Sequence, residues 1–75
     1  MPYEILPYER IRELRIDAGL TQDSIAELLH VKENTYSQYE LGLKRVPVAA
    51  FITLATFYGT STDYLLGLTD HRGPV

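Results

Sequence analysis

Residues 19–42 read GLTQDSIAELLHVKENTYSQYELG. Apolar side chains recur in this stretch at spacings of three and four, at Ile25, Leu28 and Leu29. The next set is Val31, Tyr36 and Tyr39. That spacing is helical, because side chains on a strand alternate every second residue. Thr21 is placed to cap a helix over 21–29 through its hydroxyl. A second helix is expected over 32–41, stopped by Gly42. Almost nothing separates the two, so the turn between them must bend sharply through a residue of positive φ, usually glycine. His30 stands there instead, and histidine is among the non-glycine residues enriched at positive φ. The strain expected is of order 1 kcal/mol. Ala26 supplies the small side chain needed where the first helix crosses the second.

The same periodicity extends outward in both directions. Upstream, Pro7 opens a helix over 7–18 carrying Tyr8, Ile11, Leu14 and Ala18, with Gly19 as its stop. Downstream, Gly42 and Pro47 bracket a loop. An apolar helix then spans 48–58 and is closed by Gly59. Thr60 and Ser61 are candidate caps for a last helix over 62–66, with Asp63 in its first turn, where the helix dipole favours a carboxylate. The expected architecture is all-α, a compact five-helix domain over 1–68 followed by a flexible tail over 69–75.

Composition narrows the chemistry. Of 75 residues, 45% are hydrophobic, enough for one core. The chain has no cysteine, which excludes disulfides, thiolate metal sites and thiol catalysis. No apolar run nears the ~20 residues needed to span a bilayer. The first ten residues lack the basic start and apolar stretch of a signal peptide. These features lead to the expectation of a soluble, cytoplasmic protein with no membrane partner. Net charge is −3, which argues against a nonspecific nucleic-acid coat. Lys32–Arg45 nevertheless carries more basic residues (Lys32, Lys44, Arg45) than acidic ones (Glu33, Glu40).

The stretch at 19–42 resembles the phage repressor and Cro type of helix-turn-helix, the Xre family. The similarity continues through LATFYGTSTDYLLG at residues 54–67, which is similar to that family's fourth and fifth helices. The resemblance implies a repressor-like domain in which helices two and three form the helix-turn-helix. Helix two crosses the DNA backbone, and helix three enters the major groove by its N-terminal end. By this resemblance Gln22 contacts a phosphate at the start of helix two. Lys32, Glu33, Asn34, Ser37 and Gln38 project from helix three. Glu33, Asn34 and Gln38 are the expected base readers, since Asn and Gln can pair with adenine and Glu can accept from cytosine N4. Thr35 and Ser37 would reach a phosphate or a thymine methyl, and Lys44 and Arg45 would clamp phosphates. Arg15 and Glu40 match a structural ion pair tying helix one to helix three. Two positions depart from the family pattern. Lys32 replaces the usual Ser or Thr cap. Val46 and Val48 flank Pro47 where some relatives carry a minor-groove arginine, so minor-groove reading from this loop is not expected unless Arg45 supplies it.

Other features have plainer readings. Tyr36, Tyr39, Phe51, Phe57, Tyr58 and Tyr64 have helical spacing and are expected in the core, not on a base-stacking platform. His30 and His71 have no companions at metal-ligand spacing, so no metal site is expected. Neither a nucleophile–base pair nor a phosphate-cradling loop is visible, so catalysis and cofactors are not expected. The implied partner is double-stranded DNA, a near-palindromic operator bound by a homodimer. Tyr64, Leu65 and Leu68, with the end of helix four, are the expected dimer surface. Two rival readings share these residues. One is an antitoxin that binds its own promoter and a toxin. The other is an interaction module, with a protein partner such as a sensor, that keeps the fold without DNA binding.

Overall fold

The computed structural model describes residues 7–72. Residues 1–6 of the expected domain and 73–75 of the expected tail lie outside the described residues, as does the Tyr8 side chain. Five helices follow in order: α1 (Pro7–Asp17), α2 (Gln22–Leu29), α3 (Glu33–Glu40), α4 (Val48–Tyr58) and α5 (Thr62–Leu65). No strand occurs among the described residues, and no described helix is long and apolar enough to cross a membrane. Each helix end lies within one residue of the expected boundary. The residues at issue are mostly caps, namely Thr21, Lys32, Leu41 and Leu66.

The α2–α3 turn is built as its sequence requires. Thr21 Oγ1 accepts from the Ser24 N–H at 3.1 Å and closes the start of α2. His30 ends α2 at φ 58°, ψ 42°, the left-handed conformation expected of it. Its N–H reaches the Ala26 and Glu27 carbonyls, and the Val31 N–H returns to Ala26 O at 3.0 Å. These bonds satisfy carbonyls that the helix end would leave bare. They offset the strain of a side chain at positive φ. Lys32 makes no side-chain cap, so α3 begins without that support.

The core gathers Ile11 and Leu14 from α1, Ile25 and Ala26 from α2, and Tyr36 and Tyr39 from α3. Leu54 and Ala55 join them from α4, with Tyr64 and Leu65 from α5. Helix α3 packs against α2 and α1, and α5 packs against α1 and α4. This arrangement corrects three expectations. Ala18 lies just past the end of α1 and is exposed, while Arg10 takes a buried place on that helix. Phe57 is 50% exposed, because Leu54, Ala55 and the half-buried Tyr58 fill the inward face of α4 and leave Phe57 at its edge. Tyr64 and Leu65 are 6% and 0% exposed. Both are consumed by the core of their own chain, so of the three expected dimer-surface residues only Leu68, 53% exposed, faces outward.

The segment after α5 folds back. Arg10 Nη2 donates to Asp70 Oδ1 at 2.8 Å while its guanidinium lies 4.0 Å from the centre of the Tyr64 ring. Arg72 Nη1 donates to Asp17 Oδ2 at 2.9 Å, and Thr60 Oγ1 donates to the Arg72 carbonyl at 2.8 Å. The tail, expected to be flexible, is therefore laid along α1 as far as Arg72.

Candidate nucleic-acid interface

Helix α3 has two unlike faces. Tyr36, Tyr39 and Glu40 are buried. Glu33, Asn34, Ser37 and Gln38 occupy positions i, i+1, i+4 and i+5, which share one side of a helix. Glu33 and Asn34 are exposed, and Ser37 and Gln38 are half-buried. Four of the five groups expected at the outer face are thus together and bear amide, carboxylate and hydroxyl groups outward. Lys32 is exposed at the helix start. Thr35 stands apart: it is half-buried and lies on the far side of the helix from the centre of that stripe.

The loop after α3 carries the two expected phosphate clamps. The Gly42 N–H bonds Tyr39 O at 3.2 Å and the Leu43 N–H bonds Gln38 O at 2.9 Å, closing the helix in a tight wrap. Lys44 and Arg45 follow, both exposed. They border a cleft of about 360 Å³ with Tyr39, Leu43, Val46 and Phe51. The expected clamps are therefore free to meet solvent anions.

Behind α3 lies a polar network. Arg15 Nε donates to Glu40 Oε2 at 2.6 Å and Arg15 Nη2 to Glu40 Oε1 at 3.1 Å, the two-pronged geometry that guanidinium and carboxylate planes favour. Arg15 Nη1 donates to the Leu20 carbonyl at 2.9 Å, tying down the α1–α2 connection. The expected ion pair is present and nearly dry, with the Glu40 side chain 2% exposed. Burial pushes the Glu40 carboxyl up, but contacts from Arg15, Tyr36 and Gln22 outweigh it and hold it below the usual carboxylate range. The Arg15 guanidinium is held above its ordinary value by its bond to Glu40. Burial pushes the Tyr58 phenol up to about 12, and the neighbouring Glu40 charge adds to this.

Gln22 is where the geometry adds most to the sequence reading. Its expected role is a phosphate contact. The structure adds that its Nε2 donates to Glu40 Oε1 at 3.1 Å across 18 residues of chain. No local pattern signals this contact, because Gln22 sits at the start of one helix and Glu40 at the end of the next. The buried Arg10, stacked on Tyr64, was missed in the same way. The signal available was its place beside Ile11 on the stripe of α1 that faces inward.

Among the described residues, no group of His, Asp and Glu side chains is arranged to hold a metal ion.

A family model described as a helix-turn-helix domain matches residues 9–66. The HTH-type transcriptional regulator YobD of Bacillus subtilis is 38% identical over 66 residues, spanning 88% of this chain and 59% of that protein. ImmR, another HTH-type regulator of Bacillus subtilis, is 39% identical over 59 residues, spanning 79% of this chain and 46% of its own length. The chain thus covers about half the length of these curated relatives. Among solved structures, a transcriptional regulator from Listeria innocua superposes with a TM-score of 0.79 at 34% identity, covering 84% of this chain and 61% of that one. The P22 c2 repressor, solved with a synthetic operator, superposes with a TM-score of 0.74 at 27% identity, covering 83% of this chain and 94% of the repressor chain. With its capped α2, its left-handed turn at His30 and its match over residues 9–66, the chain belongs to the helix-turn-helix domain family.

Proposed function

We propose that this chain binds double-stranded DNA sequence-specifically and acts as the DNA-binding part of a transcriptional repressor of phage or mobile-element type. The observation that carries this reading is the stripe Glu33, Asn34, Ser37 and Gln38 on the outer side of α3, in a fold shared with a repressor solved on its operator. In the reading, α3 lies in the major groove. Glu33, Asn34 and Gln38 meet base edges, and Lys32, Lys44 and Arg45 meet phosphates. Gln22 meets a phosphate at the N-terminus of α2, where backbone N–H groups and the helix dipole favour an anion. Ser37 and Thr35 are secondary contacts, Ser37 from within the stripe and Thr35 from outside it. The protein works by binding, without catalysis, inside the cell where the DNA is.

A single domain of this size covers ~600–1,000 Å² of DNA-facing surface, which is small for tight binding. The reading therefore includes a homodimer on a near-palindromic operator, with half-sites about one helical turn, ~34 Å, apart. Leu66, Leu68 and Phe57 are the exposed apolar side chains near the end of the fold that suit such a contact, in place of Tyr64 and Leu65.

The test is selection of bound duplexes from random DNA, followed by gel shift across a salt series. A recurrent, two-fold related sequence whose affinity falls with salt is the expected result. No enriched sequence, or binding indifferent to salt, overturns the reading. Sedimentation of the protein with the selected duplex reports the dimer, and one protomer per duplex at saturation removes it.

A further inference from the structure

Glu40 does more geometrically than pair with Arg15. Both of its oxygens are engaged: Oε2 takes Arg15 Nε, and Oε1 takes Arg15 Nη2 together with Gln22 Nε2. The arginine fork leaves the carboxylate no freedom to turn, and Arg15 is itself anchored on the Leu20 carbonyl one residue before the α2 cap. The Gln22 amide is consequently held at the start of α2 before any ligand arrives. A glutamine amide has two N–H donors. One is occupied by Glu40, and the other is available to an incoming oxygen. A carboxylate this close to a phosphate contact would ordinarily repel it. Here the Arg15 charge sits directly on that carboxylate and cancels it.

We propose that Glu40 is a positioning residue for DNA binding: it holds the Gln22 amide in the pose that meets the DNA backbone, joining the buried ion pair to the DNA-facing surface. This rests on the reading of Gln22 as a backbone contact given above. A long polar side chain that is already ordered loses less freedom on binding than a mobile one. Replacing Glu40 by glutamine removes the arrangement with little change of shape. An amide offers one acceptor oxygen where two were in use, so either Arg15 or Gln22 then faces an N–H.

The experiment is a double-mutant cycle on the duplex selected from random DNA by the unaltered protein. Gln22→Ala, Glu40→Gln and the double variant are compared at a temperature where circular dichroism shows all four proteins folded. Gln22→Ala is expected to weaken binding about tenfold, the scale of one hydrogen bond to a charged group. Glu40→Gln is expected to weaken it about threefold to tenfold, the scale of freeing one long side chain. The double variant should be no weaker than Gln22→Ala alone, while Glu40→Gln still lowers the melting temperature in the Gln22→Ala background, because the Arg15 pair is disturbed in both. An equal affinity loss from Glu40→Gln with and without Gln22 makes Glu40 merely structural and overturns the proposal. If the duplex binds and Gln22→Ala changes nothing, the proposal falls and the DNA reading stands. If no duplex is ever selected, both fall.

A measurement on the unaltered free protein stands in if Glu40→Gln does not fold. The chain has two glutamines, Gln22 and Gln38. In a nitrogen-15 NMR spectrum the Gln22 side-chain amide should exchange its protons more slowly than that of Gln38 and shift on adding the duplex. Matching exchange at the two amides overturns the proposal.

Discussion

Helices α3 and α4 lie a short loop apart and are held by opposite means. Helix α3, ENTYSQYE, has three buried residues, and one of them is a carboxylate. Helix α4, VAAFITLATFY, has no charged residue at all. Each begins without a side-chain cap, at Lys32 and Pro47 respectively. Helix α3 is placed by Tyr36 and Tyr39 and by the clamp of Arg15 on Glu40. Helix α4 is placed by Leu54 and Ala55, with Phe51 and Tyr58 half-buried beside them. Their outer sides are inverted relative to simple expectation. The more polar helix presents hydrogen-bonding groups, and the apolar one leaves Val48, Ile52 and Phe57 exposed. Its hydroxyls Thr53 and Thr56 bond back to the Ala49 and Ile52 carbonyls at 3.1 and 2.9 Å, so they offer little outward. Hydrophobicity therefore does not mark the side of this molecule proposed to meet DNA; placed polar groups do.

The contrast can be broken most forcefully at its apolar end. Leu54 is fully buried, and Leu54→Ala should cost ~2–5 kcal/mol in urea unfolding. A loss below ~1 kcal/mol would mean that α4 is not anchored by its core residues.

On the polar side, Arg15→Ala leaves the Glu40 carboxylate buried without its partner and should cost ~3 kcal/mol. The pH dependence checks the cause. The folded protein holds the Glu40 carboxyl below its ordinary value of 4.5. The unfolded chain thus takes up this proton first as pH falls. The stabilisation is present above about 4.5 and is lost as pH drops through the lower folded value. Stability measured from neutral pH down through that range should decline, and Glu40→Gln should remove Glu40's share of the decline. An unchanged pH profile in that variant would show that Glu40 does not carry it.

The outer side of α3 comes next in size. Gln38→Ala should cost ~1–3 kcal/mol on the best selected duplex and relax preference at one base pair. Lys44→Ala should weaken every duplex alike and lower the salt slope by about one. If the two variants behave alike, the division between base readers and phosphate clamps is wrong. The smallest effect is expected on the exposed side of α4. Ile52→Lys should change unfolding free energy by no more than ~0.5 kcal/mol. A larger loss would show that this side is packed against something in solution.

The helices themselves were legible because their signals are local. Thr21 and Ser61 both accept from the backbone N–H three residues on, as caps do. Gly42 and Gly59 stop α3 and α4, and His30 takes the left-handed turn that its position demands. The outward groups of α3 were legible for a related reason. Once Tyr36 and Tyr39 are inside, the helical period puts Glu33, Asn34, Ser37 and Gln38 outside.

Less legible was the fate of residues whose neighbours permit either outcome. Helix α4 is apolar nearly all round, so periodicity cannot say which of Phe51, Phe57 and Tyr58 turns inward. The α5 segment reads as an apolar cluster, and only its seat on α1 and α4 decides that Tyr64 and Leu65 are covered while Leu66 and Leu68 are not.

By itself, then, the sequence determined the five helices, the tight turn at His30 and the polar stripe of α3, since each depends on residues within one or two helical turns of each other. Tertiary structure alone decided the links between distant side chains. Gln22 meets Glu40 across 18 residues and Arg10 meets Asp70 across 60, whereas the Arg15–Glu40 pair across 25 was expected through the family resemblance and not through any local spacing. A side-chain hydrogen bond needs two particular atoms within about 3 Å. Such closeness between remote residues is set by how helices pack against one another, which no local spacing encodes.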